Sequence, residues 1–283
     1  MADPVIQLFV NAKAGSSSRR RVAALRRELE AAGARVIVTS SADALAVAEE
    51  ATHVCAVGGD GTLRHVAAAL RASGRPLPMS IFPTGTVNLL AREYGYRRDP
   101  ISFAGRMLRG GAPRLQRIAL VGETMMFTCA SVGPDADAVA AVSLRLKRRI
   151  GRAAYGVAFL NSLIAWPRHR LTLQADDRTI ACEAVYIAKG RYYAGPWSFA
   201  PGAAADDPLL HVVALRRARR RDFFRFLWTL LRHGDLEGDR NLIRFTCTAL
   251  TIEGGEAPLQ ADGDIVAQLP ARIAIDSAPQ PFA

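Results

Sequence analysis

Residues 55–70 read CAVGGDGTLRHVAAAL: an apolar run, then Gly58, Gly59, Asp60, Gly61 and Thr62, then apolar residues at helical spacing. Glycine loses more conformational freedom on folding than any other residue, so three in four positions need a reason. Glycines between a strand and a helix let backbone N–H groups approach an anion closely, at the positive end of the helix. That makes residues 58–62 a candidate phosphate loop. A Walker-type loop is excluded, because no lysine of the chain precedes Ser or Thr. The dinucleotide fingerprint fails as well, since counting from Gly59 its sixth position is Arg64. Asp60 is the odd member. A carboxylate repels phosphates unless a cation or a transferable proton shares the loop; otherwise it only caps the helix.

Working outward, the first part alternates strand and helix patterns. PVIQLFVN (4–11) is a buried-strand pattern, and SSSRRRVAALRRELEAAG (16–33) a helix with apolar Val22, Leu25 and Leu29 and a glycine stop. ARVIVTS (34–40) predicts a second strand, SADALAVAEEA (41–51) a second helix behind a capping serine, and HVCAV (53–57) a third strand. MSIFPTGTVNLLAREYG (79–95) repeats strand, small-residue turn and short helix. This alternation predicts a doubly wound parallel sheet. Past Arg114 the texture changes. A hairpin turning at Gly122-Glu123 leads to a basic helix from about Asp135 to Trp166, which includes RLKRRIGR (145–152). Then come β segments at 170–190, 209–217, 242–255 and 258–266, interrupted by the amphipathic RRRDFFRFLWTLLRHG (219–234). Antiparallel sheets packed face to face are expected there. The domain expectation is 1–115 with the tail 267–283 as a nucleotide-binding α/β domain, 116–266 as a β-rich substrate domain, and a cleft between them.

The chain of 283 residues has a net charge of +11; three of its 37 basic residues are lysine (Lys13, Lys147, Lys189) and 34 are arginine. Such charge attracts nucleic acid, anionic lipid and phosphorylated small molecules alike. No nucleic-acid motif accompanies it, so no nucleic-acid partner is expected. Cys55, Cys129, Cys182 and Cys247 are widely spaced, with no CxxC pair, and read as reduced core residues. With no signal-peptide pattern and no stretch fit to span a bilayer, a cytoplasmic protein is expected.

Several further turns occur in an order that resembles the diacylglycerol kinase catalytic family. GGDGT is similar to its nucleotide loop, NAKAG (11–15) to its first-strand turn, and Thr39 stands where the family has a nucleotide-contacting threonine. PTGTVN (83–88) is similar to its second glycine turn, SVGPDADAV (131–139) to the start of its second domain, DDPLLHVV (206–213) to a metal-associated segment, and ADGD (261–264) to a late D-G-E. The resemblance implies an NAD-kinase/phosphofructokinase-like α/β domain, a sandwich-like second domain, and an ATP- and Mg²⁺-dependent lipid kinase. It implies nucleotide contacts at Asn11, Gly15, Thr39, Gly58, Gly59, Asp60, Gly61, Thr62, Gly85, Thr86 and Asn88. A catalytic base is implied at Asp264, ranked just ahead of Asp60, and a structural Mg²⁺ on Asp207 with the Ala204 and Leu209 carbonyls. Leu63, Arg64, His65, Pro208 and Asp264 depart from the family pattern. Against this stand phosphorylation of a soluble metabolite such as NAD by the same loop, and nucleotide binding without turnover. The aromatic, arginine-rich 219–234 helix either packs its rings into the second domain or lies on an anionic membrane, at the cell membrane's inner face.

Overall fold

The computed structural model describes residues 3–11, 16–40, 45–85, 87–109, 112–141, 166, 168–232 and 236–283. It divides into two compact units, residues 1–117 with 278–283, and residues 118–277.

The first unit carries β1 (Val5–Val10), α1 (Ser16–Ala31), β2 (Arg35–Ser40), β3 (His53–Gly58), α2 (Asp60–Ala72), β4 (Met79–Pro83), α3 (Leu89–Glu93), α4 (Pro100–Arg109) and β5 (Arg114–Gln116). A terminal strand from Gln280 to Phe282, β18 in chain order, completes it. The six strands form one sheet in the order β2-β1-β3-β4-β18-β5. β1, β2, β3 and β4 run parallel, and β18 joins β4 in parallel and β5 antiparallel. β3 and β4 are buried nearly end to end, as strands covered on both faces must be. Leu25 and Leu29 of α1 are fully buried, and α2 buries Leu63, Val66, Ala67 and Leu70, the stripe that its 3.6-residue period aligns.

The helix expected over 41–51 does not form across the described residues 45–51. Side chains satisfy that backbone instead. Gln7 donates to the Ala46 carbonyl and accepts the Ala48 amide, both at 2.9 Å, and Arg75 donates to the Ala48 and Ala51 carbonyls at 2.7 Å. Buried polar backbone needs partners, and here they come from β1 and the loop after α2 rather than from the next helical turn.

The second unit contains β6 (Ala119–Val121), β7 (Thr124–Met126), β8 (Cys129–Val132), α5 (Pro134–Ala141), β9 (Leu171–Ala175), β10 (Arg178–Cys182), β11 (Ala184–Ala188) and β12 (Leu210–Leu215). A helix, α6 (Arg220–Leu231), follows, then β13 (Leu242–Cys247), β14 (Ala249–Gly254), β15 (Pro258–Ala261), β16 (Asp264–Gln268) and β17 (Ala271–Ile275). Two antiparallel sheets result, β10-β9-β14-β17-β6-β7 and β13-β12-β11-β8-β15-β16. Leu173, Ile252 and Ile273 of one sheet meet Val185, Val212 and Leu259 of the other in a shared core. The outer face of the second sheet, with Tyr186 and Val213, packs under Phe223 and Phe226 of α6. The doubly wound sheet, the Gly122-Glu123 hairpin and the sandwich are as the sequence predicts. Residues 142–165 of the expected basic helix, RLKRRIGR among them, lie outside the described residues. All four cysteines are free and buried, and among the described residues no helix is long and apolar enough to cross a membrane.

Candidate active site

In the first sheet the chain leaves β1 sideways to β2 and returns on the other side to β3. The carboxyl ends of β1 and β3 therefore flank a topological switch point, where open α/β sheets leave a crevice for ligands. Asn11 lies immediately beyond β1. Its amide donates to the Val57 carbonyl and its Nδ2 to Thr62 Oγ1, both at 3.3 Å. The residue after β1 is thus tied to the glycine loop after β3.

That loop touches the turn after β4. The Gly58 carbonyl accepts the amides of Thr84 (2.9 Å) and Gly85 (3.1 Å). A Cβ on Gly85 would lie 2.6 Å from Gly59 Cα and 2.7 Å from Asn88 Oδ1, and one on Gly58 would lie 2.2 Å from Thr62 Oγ1. Both glycines are there because no side chain fits. The first backbone bond of α2 runs from the Leu63 amide to the Gly59 carbonyl, so the preceding amides point out of the helix's positive end.

Asp60 caps a helix, but not its own. Its Oδ2 accepts the Leu89 amide at 3.0 Å and its Oδ1 the Leu90 amide at 3.2 Å, across 29 and 30 residues of chain. Those are the first two amides of α3. Asn88, at φ 54°, starts that helix and donates Nδ2 to the Gly85 carbonyl at 2.8 Å, which Arg98 also holds at 2.6 Å. Asn88 Oδ1 is buried and has no hydrogen-bond donor among the described residues. It is an acceptor aimed into the glycine turns, and a ligand hydroxyl or amine would satisfy it. With the Cβ-free backbone and the α2 amides, this donor and acceptor set fits a nucleotide. Thr39 is on β2, where its Oγ1 accepts from Gln7 Nε2 at 2.9 Å. Asn11, Gly58, Gly59, Asp60, Gly61, Thr62, Gly85 and Asn88 are therefore brought together; Gly15 and Thr86 lie outside the described residues.

In the second unit the ADGD segment turns β15 into β16, and Asp264 opens β16 half-buried. Its neighbour Asp262 is no ordinary surface-turn residue. It is 7% exposed at φ 50° and accepts the amides of Phe127 (2.9 Å), Thr128 (2.9 Å) and Cys129 (3.2 Å) and the Thr128 hydroxyl (2.6 Å). From the same turn a polar chain runs inward. Gln260 Nε2 donates to Ser131 Oγ at 2.8 Å, and Ser131 and Tyr193 each donate a hydroxyl to Asp135 Oδ2 at 2.5 Å. Burial pushes the Asp135 carboxyl above the usual carboxylate range, and its Oδ1 is buried without a hydrogen-bond partner, as is the Tyr186 hydroxyl. A desolvated carboxylate in a buried polar chain is a functional-site candidate, a pattern that structural networks share. Sequence reading did not single out Asp135, although an acid behind Gly-Pro at the head of a helix was the available signal.

The segment expected to hold a structural divalent cation does not fit one. The Ala204 carbonyl has two lone pairs, and both are used: the Asp207 amide donates at 3.1 Å and the Lys189 ammonium at 3.2 Å. Lys189 also donates to the Ala205 carbonyl at 3.0 Å. Asp207 Oδ1 accepts the Leu209 amide at 3.1 Å, and Oδ2 bonds His211 Nε2 at 2.7 Å. A second cation on these oxygens would also face the Lys189 charge. Among the described residues no group of three His, Cys, Asp or Glu could hold a metal.

Comparison with known proteins bears on both units. Residues 5–119 match the family model of the diacylglycerol kinase catalytic domain, and residues 128–281 match that of the YegS C-terminal NAD kinase beta sandwich-like domain. A probable lipid kinase YegS-like of Pseudomonas aeruginosa is 30% identical over 82% of this chain and 78% of its own length. The Pseudomonas syringae protein of the same description is 33% identical over 58% of this chain, and the match spans only 53% of that protein. A Bacillus subtilis diacylglycerol kinase is 24% identical over 89% and 86% of the two chains. The crystal structure of a diacylglycerol kinase from Bacillus anthracis shares the fold, with a TM-score of 0.78 and 18% identity, covering 97% of this chain and 95% of that one.

Proposed function

The chain belongs to the diacylglycerol kinase catalytic domain family, with a YegS-type C-terminal domain, and on that premise we propose that it is an ATP-dependent lipid kinase acting on diacylglycerol or a related lipid alcohol. The observation that carries the reading is the backbone contact of Gly59 with Gly85 beside the switch point, bordered by the α2 amides and the unsatisfied Asn88 Oδ1. ATP bound there supplies the γ-phosphoryl group, its charge neutralised by the Mg²⁺ it carries. The lipid hydroxyl oxygen bonds to the γ-phosphorus as the bond to the β–γ bridging oxygen breaks and ADP leaves. The family resemblance implies Asp264 as the base for the hydroxyl proton. Asp60 is a positioning residue, because its two oxygens hold the amides that start α3 and so fix the turn after β4 against the glycine loop.

The α6 helix favours a lipid over a soluble substrate. Phe226 and Leu230 point into the core, while Phe224, Trp228 and Leu231 are 44%, 58% and 48% exposed on another face. Exposed Arg220, Arg221, Arg225 and Arg232 surround that face, and the Arg232 guanidinium lies 4.5 Å from the Trp228 ring centroid. Such a surface suits docking on anionic headgroups, with the rings at the acyl boundary. One assay tests both parts: transfer of label from γ-phosphate-labelled ATP to lipid alcohols in vesicles. Label is expected in lipid, faster with anionic than neutral vesicles, and reduced at least about a hundredfold by Asp60→Ala. Absence of labelled lipid across a broad panel would overturn the activity, and rates indifferent to vesicle charge would overturn the α6 docking.

A further inference from the structure

We infer that the Lys189 ammonium is the resident cation of the turn that precedes β12, so that this chain orders residues 203–209 without a divalent metal. The inference concerns the cohesion of the second unit and stands apart from the proposed catalysis.

Lys189 is the one lysine among the described residues, in a chain whose other basic residues are overwhelmingly arginine. It is also fully buried, where lysine is almost never found without compensation. Its backbone is anchored at the end of β11, where the Lys189 and Gly190 amides donate to the Thr128 carbonyl at 2.7 and 2.9 Å. Its side chain then reaches the carbonyls of Ala204 and Ala205, 15 and 16 residues on, at 3.2 and 3.0 Å. The side chain thereby staples the sheet to the turn.

The choice of lysine has a physical reason. An ammonium is a compact point charge with three donors, and it can sit on two adjacent carbonyl oxygens much as a small metal ion does. A guanidinium is a planar fork too wide for that seat. The turn itself closes through the Asp207 amide on the Ala204 carbonyl, and the Asp207 carboxylate is held by the Leu209 amide and the His211 ring. Every oxygen that would ligate a metal in this arrangement thus already has a donor, apart from the Leu209 carbonyl. It follows that this turn needs no divalent ion of its own.

The test uses the full-length protein without nucleotide, with no activity readout. Wild-type melting curves in EDTA and in millimolar MgCl₂ are expected to superimpose, and metal analysis after dialysis should find no stoichiometric divalent ion. Lys189→Met, which keeps the length but removes the charge, should lower Tm by roughly 5 °C or more, since buried carbonyls lose their donor. Lys189→Arg should not restore it. The inference is overturned if EDTA lowers the wild-type Tm, if one divalent ion per chain is retained, or if Lys189→Met melts with the wild type. Should Lys189→Met fail to fold, the two wild-type measurements still decide.

Discussion

Two Asp-Gly turns, one in each unit, use the same dipeptide to different ends. Asp60-Gly61 opens α2 and Asp262-Gly263 joins β15 to β16. Each carboxylate gathers backbone amides from a distant segment. Asp262 accepts the amides of Phe127, Thr128 and Cys129 and the Thr128 hydroxyl in a buried setting, whereas Asp60 accepts the Leu89 and Leu90 amides in a half-buried one. The first is a buried structural knot. The second fixes a neighbouring loop, the turn that starts α3, against the glycine loop. The contrast teaches that an aspartate's meaning lies in which segments its oxygens tie together and how deeply that tie is buried.

The comparison is sharpest under substitution. The largest stability loss is expected for Asp262→Ala, which strands three amides and a hydroxyl in the interior: about 4 kcal/mol or more, on the order of 10 °C in Tm by calorimetry. A variant melting within about 2 °C of the wild type would show that the knot is not structural. Next comes Gly85→Ala, which should spread the two glycine turns. It should cost about 1–3 kcal/mol while depressing label transfer about a hundredfold. Equal loss of activity and folded protein would erase the proposed distinction between the turns.

The smallest effect is expected at Asp135, which belongs to the polar chain behind Asp262. Burial raises its carboxyl in the fold, so the native state favours the protonated form. Its contribution to stability is therefore full below the unfolded carboxylate's pKa of about 4 and is lost as pH rises through the raised native value. Asp135→Asn, which mimics the neutral form, should raise Tm at alkaline pH and converge on the wild type in acid. A variant destabilised equally at all pH values would refute this.

How much of this was readable in the sequence depends on the range of the interaction. The glycine spacing of residues 58–61 signals a tight strand-to-helix passage by itself, because backbone freedom is a local property. The partners of Asp60, at Leu89 and Leu90, and those of Asp262, at 127–129, are set by where β4 and β8 fall in their sheets. No spacing rule reaches them. The same long-range competition removed the expected helix from 45–51, where Gln7 and Arg75 outbid the local ladder. Lys189 was hidden for a related reason. In a chain with a charge of +11, one more basic residue reads as solvated surface until its burial is seen.

The terminal strand has a consequence for how the molecule is made. Phe282 pairs with Met79 and Gln280 with Gln116, so β18 fills the place between β4 and β5. Those residues leave the ribosome only after residues 118–277 have been translated, which at about 5–20 residues per second takes roughly ten to thirty seconds. For that interval the nascent first sheet holds β4 with an unpaired edge, the kind of surface that recruits other strands. The glycine-loop unit is synthesised ahead of the second unit, yet its sheet is completed only after the whole of the second unit has emerged.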